Sequence, residues 1–137
     1  MDKQILYILT SLEAIEKIKI YSEEFDNANE FFEANEQMNF NACYTLLLTI
    51  SEESRKLEGS IINMYPNIPW KLIFGIRNHL SHNYRGIDNE IIFDIINTYL
   101  PPLKETLIKI LNHLNLDKKK LIEIINSKYY RHLKYLL

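Results

Sequence analysis

The sequence predicts an all-α protein: an up-and-down helical bundle with an extra C-terminal helix. Three observations lead there. Glycine and proline together supply 7 of 137 residues, about 5% where roughly 12% is usual. So few turn formers cannot build a β-sandwich, which needs them every dozen positions or so. Valine is absent, which leaves isoleucine to carry the β-branched load. Apolar residues recur at helical rather than alternating spacing. A chain of 137 residues suits one domain around one core.

The elements follow in order. Over 3–21, Ile5, Ile8, Leu9, Leu12, Ile15 and Ile18 share one helix face. Asp26-Asn27 then opens a short polar and phenylalanine-rich segment, roughly 27–37. From Asn39 to Leu57, the series Phe40, Cys43, Leu47, Ile50, Ser54, Leu57 predicts a long, well-buried helix. Gly59 and Tyr65-Pro66-Asn67-Ile68-Pro69-Trp70 interrupt the pattern, too briefly for a linker. Pro69 suits the first turn of a helix over about 69–82, where its missing N–H would go unbonded anyway. Asp88 can cap a helix over about 89–99, which Pro101-Pro102 should stop or kink. Helices over 103–115 and 118–136 complete the bundle, the last one capped by Asp117. The expected organisation is a helical domain over 1–116 and a basic, tyrosine-containing helix over 117–137 that packs on it or extends it.

Several function classes drop out early. Cys43 is the sole cysteine and cannot form an internal disulfide. In its apolar run it reads as a small buried hydrophobe before it reads as a nucleophile. No CxxC or HExxH spacing, and no repeat of 20–50 residues, is present. No stretch approaches the ~18 apolar residues of a membrane span. With charges throughout the first helix, the expectation is a cytoplasmic protein without a membrane anchor. The net charge of −2 conceals a gradient: −7 over 1–58, zero over 59–103 and +5 over 104–137. Such polarity lets one end meet a polyanion, or it reflects unequal solvated faces.

The helix over 70–82 breaks the rules of its own pattern. At ~100° per residue, Arg77 falls inside the arc of Trp70, Leu72, Ile73, Phe74, Ile76 and Leu80. A guanidinium there needs a partner, since an unpaired buried charge is very costly. Either it forks onto a buried carboxylate or caps carbonyls in the bundle, or it marks a site. The chain holds 12 lysines and 4 arginines, yet Arg77 and Arg85 lie within nine residues of each other. Arginine's planar fork matches phosphate or carboxylate oxygens two at a time. The opposite stripe, Lys71, Gly75, Asn78 and His82, reads as an interface with another helix, which could belong to a second copy of the chain. His82 at the helix end is suited to moving protons near neutrality, or simply favoured by the helix dipole. One protomer does not aim Arg77 and His82 at one point; a two-fold dimer could gather two of each around a cleft. Gly75 and Gly86, like Pro66 and Pro69, flank this same segment.

The pattern Arg77-Asn78-x-x-x-His82-x-Tyr84 resembles the signature of the HEPN superfamily, in its HepT-like branch. Its flanks agree: Tyr65-Pro66-Asn67-Ile68-Pro69-Trp70-Lys71 and Gly75-Ile76 before it, Gly86-Ile87-Asp88 and Leu100-Pro101-Pro102-Leu103-Lys104 after it. The likeness spans roughly residues 1–115. It implies a helical homodimer that acts as a metal-independent, cofactor-free ribonuclease, the toxin of a type VII toxin–antitoxin pair. By position, Arg77 would bind the scissile phosphate and His82 would be general acid or base. Asn78, Ser81 and Arg85 would support them. The implied partner is a nucleotidyltransferase antitoxin, able to transfer AMP onto Tyr84 and so block the cleft. The other reading of the same cleft is a non-catalytic subunit that holds a nucleotide or substrate for a separate nucleotidyltransferase.

The end of the chain departs from that pattern. Lys118-Lys119-Lys120, Lys128, Arg131 and Lys134 alternate with Tyr129, Tyr130 and Tyr135. Such interleaving can track an RNA backbone and stack its bases. Equally, Leu121, Ile124, Ile125, Tyr129, Leu133 and Leu136 can pack a final helix onto the bundle. Both can hold at once. His79, His113 and His132 carry no motif context and read as structural or exposed.

Overall fold

The structure, a computed structural model, describes residues 3–81 and 88–137, with residues 79–81 described by their backbone alone. Every regular element among the described residues is helical, which agrees with the expected all-α class. The centre is a pair of long helices, α1 (Lys3–Ser22) and α3 (Met38–Arg55). Their apolar stripes meet: Ile8, Leu9, Leu12 and Ile18 on one, Cys43, Leu47 and Ile50 on the other, are sealed from solvent. The two run antiparallel. Asn39 Nδ2 donates to the Tyr21 carbonyl at 2.9 Å near one end, and Glu58 N donates to Gln4 Oε1 at 2.9 Å near the other.

Between them lies α2 (Ala28–Glu33), capped by Asn27, whose side chain accepts from Glu30 N. Phe31 stands at the middle of an aromatic cluster, its ring centroid 5.8 Å from each of Phe25, Phe40 and Phe93. A tight 3₁₀ turn, Ala34–Gln37, returns the chain to α3, with Asn35, Glu36 and Gln37 at φ of 50°, 57° and 69°. Left-handed geometry costs an L-residue about 1–2 kcal/mol. Here the Asn35 amide steadies it by donating to Asn39 Oδ1 at 2.8 Å.

The short α4 (Gly59–Ile62) leads to α5 (Trp70–Ser81), which starts directly after Pro69. Trp70 Nε1 donates to the Tyr65 carbonyl at 2.9 Å, closing the proline-bearing loop onto the helix start. Asp88 caps α6 (Asn89–Asp94) as expected, its side chain accepting from Glu90 N at 2.9 Å. The helix then widens into one π turn, Ile95–Tyr99, and continues as α7 (Leu100–His113). Pro101 and Pro102 fall in the first turn of α7. Lacking N–H groups, they leave carbonyls one turn earlier without donors, and the ladder shifts by a residue there. The predicted stop or kink is a change of pitch in a helix that continues.

The last element corrects the expected helix over 118–136. Asp117 does cap α8, accepting from Lys119 N at 3.0 Å, but α8 runs only from Lys118 to Ile125. Asn126-Ser127 favour turns over helix interiors, and the chain bends back over α1 to a terminal 3₁₀ turn, Lys134–Leu136. Ile125 and Leu133 are completely buried in the common core, and Leu121, Ile124 and Leu136 pack partly against it. Tyr129, expected on the packing face, is 67% exposed.

Candidate active site

α5 rests on α3 through Trp70, Ile73 and Ile76, all buried, while Leu72 and Phe74 are half-covered. The seam is polar at one edge. Ser51 Oγ donates to the Phe74 carbonyl at 3.2 Å, and the Arg55 guanidinium donates to the same oxygen.

Arg77 lies at this edge, three residues further along α5. Its Nη1 is 2.8 Å from Glu52 Oε1, with side chains 59% and 49% exposed respectively. This corrects the sequence expectation of a guanidinium inside the apolar arc. Among the described side chains of α5 only Trp70, Ile73 and Ile76 are buried, and Arg77 lies exposed beside Glu52 of α3. The expected carboxylate partner is present, but at the surface and without a large desolvation cost. A guanidinium that is 59% exposed beside its carboxylate can still donate to phosphate oxygens.

Asn78 and Lys71 are exposed on the neighbouring stripe, with Gly75 partly covered between them. A Cβ placed on Gly75 would meet nothing within 4 Å. No close approach within the described chain explains this glycine, so the helix contact expected along the stripe is not made by the chain's own described elements. Ser81 closes α5 and is described by its backbone alone; His82, Tyr84 and Arg85, with Gly86, lie outside the described residues.

Glu52 and Arg55 are the residues that reading the sequence missed. A signal existed: Arg55 is one of only four arginines, placed one turn from Glu52 on a predicted helix. Other candidates settle into the structure. Cys43 is sealed beneath α1, with Sγ 3.8 Å from the Ile18 carbonyl, and burial pushes its thiol up to about 12. His132 Nδ1 is 2.6 Å from the buried Glu13 carboxylate, which also accepts from the His132 backbone N–H at 3.1 Å. His113 is exposed at the end of α7.

The sequence model of the family described as "Ribonuclease HepT-like" matches residues 11–110, which contain α5 and the Arg77–Glu52 pair. The chain is similar to "Putative RNase MJ1380" of Methanocaldococcus jannaschii, 33% identical over 99 residues, covering 72% of this chain and 88% of that protein. It is 29% identical over 98 residues to "Probable ribonuclease HepT" of Thermococcus cleftensis, covering 72% of this chain and 86% of that one. A longer match, 29% over 124 residues, is to "Gamma-glutamylcyclotransferase and putative RNase MJ0434" of M. jannaschii; it spans 90% of this chain but 51% of that protein. No solved structure matches the chain. Among the described residues, no helix is long and apolar enough to cross a membrane.

Proposed function

The chain belongs to the Ribonuclease HepT-like family, and from that premise we propose that it is the endoribonuclease toxin of a toxin–antitoxin pair and cuts RNA without a metal ion. Arg77 binds the scissile phosphate and His82 moves the proton. The observation that carries this reading is the setting of Arg77, a solvent-facing guanidinium steadied by Glu52 on a rigid helix pair, five residues before His82.

The chemistry needs little from the protein. The neighbouring 2′-hydroxyl attacks phosphorus, and the bond from phosphorus to the 5′ oxygen breaks. A base removes the 2′ proton, and an acid delivers a proton to the departing 5′ oxygen. The nucleophile is already part of the substrate, so proximity comes without a binding step. What remains is one proton acceptor, one donor and a cation for the extra charge on the pentavalent phosphate. His82 from each of two copies would supply the first two, with the Arg77 side chains the third. Asn78, Ser81 and Arg85 would be the supporting groups. The open space beside Gly75 is consistent with a second copy approaching there.

The cognate antitoxin in this reading is a nucleotidyltransferase. AMP placed on Tyr84 would set a phosphate beside Arg77 and Arg85, where it competes with substrate. The products test the reaction: RNA fragments should end in 2′,3′-cyclic phosphate and 5′-hydroxyl groups, and a 2′-O-methyl strand should resist. Cleavage of the methylated strand would contradict the mechanism. RNA or nucleotide binding with no cleavage would return the non-catalytic subunit.

A further inference from the structure

The C-terminal segment lies outside the residues that the family matches, and the proposed reaction makes no use of it. It is nonetheless firmly placed. Leu133 is wholly buried, His132 holds both Glu13 carboxylate oxygens, and the Tyr130 hydroxyl lies 3.2 Å from Thr10 Oγ1. These anchors hold the backbone from which the neighbouring polar side chains project. Lys128, Arg131 and Lys134 are exposed, and none has a carboxylate partner among the described residues. Tyr129 is 67% exposed, with Lys128 Nζ 5.3 Å from its ring centroid.

The segment also borders the candidate site. Tyr129 and Tyr130 line one side of a depression of about 280 Å³, with Leu46 and Thr49 of α3 and Lys17 of α1 among its other walls. Glu13, the one carboxylate there, is committed to His132. Thr49 lies three residues before Glu52, the partner of Arg77. Residues at that spacing are neighbours on a helix surface, about 5–6 Å apart at Cβ. A surface thus runs from Arg77 over Glu52 and Thr49 into an aromatic-walled hollow that Lys17 also lines, with Lys128 and Arg131 next in sequence to its two tyrosines.

We infer that residues 128–134 form a second contact for the RNA strand, holding single-stranded RNA that extends from Arg77 across α3. This rests on the ribonuclease reading and adds to it a path for the substrate. Exposed tyrosine rings accept an unpaired base by stacking, which a duplex does not offer. Lys128, Arg131 and Lys134 meet the phosphates on either side. The alternation of ring and cation suits a strand better than a flat anionic surface, because each nucleotide offers one base and one phosphate.

The test uses the full chain and a 20-nucleotide 2′-O-methyl oligoribonucleotide, which binds without being cut. Tyr129→Ala should weaken binding by about tenfold. The double variant Lys128→Glu, Arg131→Glu should weaken it by more than tenfold and make it less salt-dependent. Its log–log slope should flatten by about 0.7 for each phosphate that the variant no longer neutralises. Lys109→Glu, the same charge reversal at a single exposed position of α7 and so half the charge change, should have little effect. Unchanged affinity in the tail variants overturns the inference. So does an equal weakening in Lys109→Glu, or an effect confined to binding of a protein antitoxin. Cleavage of unmodified RNA by the wild-type chain is scored separately. Its absence removes the ribonuclease reading, whereas cleavage with unaltered tail-variant affinity removes only the RNA path.

Discussion

Arg77 and Glu52 set the terms at the scale of single residues. Both are about half-exposed, so their ion pair should contribute at most about 1 kcal/mol to stability. Arg77→Ala should therefore leave the urea midpoint nearly unchanged while activity collapses; a large drop in stability would reassign Arg77 to structure. Arg77→Lys should rescue little, since a point charge cannot replace the two-pronged fork. Sequence pattern alone could find Arg77 but not its exposure. The helical wheel knows the spacing of residues, not how far α3 extends over α5. Cys43 makes a second prediction. Burial holds its thiol protonated up to about 12, against an ordinary value of 9.0, and Tyr135 is likewise raised by burial and by Glu16 and Glu13. Folding therefore retains protons that the unfolded chain releases, and stability should decline as pH rises beyond about 9. In urea titrations against pH, a midpoint that rose or held steady from pH 9 to 11 would contradict this assignment.

Elements show where the sequence was informative and where it fell silent. The caps at Asp88 and Asp117, the start after Pro69 and the stripes of α1 and α3 were all legible, because local hydrogen bonding and periodicity decide them. The left-handed turn at 35–37 was not, because none of its residues is a glycine, nor was the course of the chain after α8, which distant contacts fix. In the tail, the partners of His132 and Tyr130 are 119 and 120 residues away. Leu133→Ala should cost about 2–5 kcal/mol by urea unfolding, as for a sealed core leucine. A cost near zero would mean the tail is not docked. Gly75 tests α5. Gly75→Ala should add about 1 kcal/mol of helix stability, since no described atom obstructs a methyl group there. If a second copy packs at Gly75, the same variant should weaken the dimer in analytical ultracentrifugation.

At the scale of the molecule, the linear charge gradient does not survive folding as a gradient in space. The basic C-terminal quarter meets the two carboxylates of α1, where Lys104 reaches Glu16 at 2.5 Å and His132 reaches Glu13 at 2.6 Å. The cations of the tail's outer edge, Lys128, Arg131 and Lys134, are among those that stay without a carboxylate partner among the described residues. The fold thus offers a rigid frame, α1 and α3, with the Arg77 helix against α3 and the basic segment over α1. The central claim is that this frame serves RNA cleavage through Arg77 and His82. The most direct measurement is incubation of purified chain with single-stranded RNA in excess chelator, comparing wild type with Arg77→Ala and His82→Ala. Cleavage by the wild type, reduced more than a hundredfold in each folded variant, is the predicted result. Cleavage that persists in both variants, or wild-type cleavage that the chelator abolishes, would contradict it.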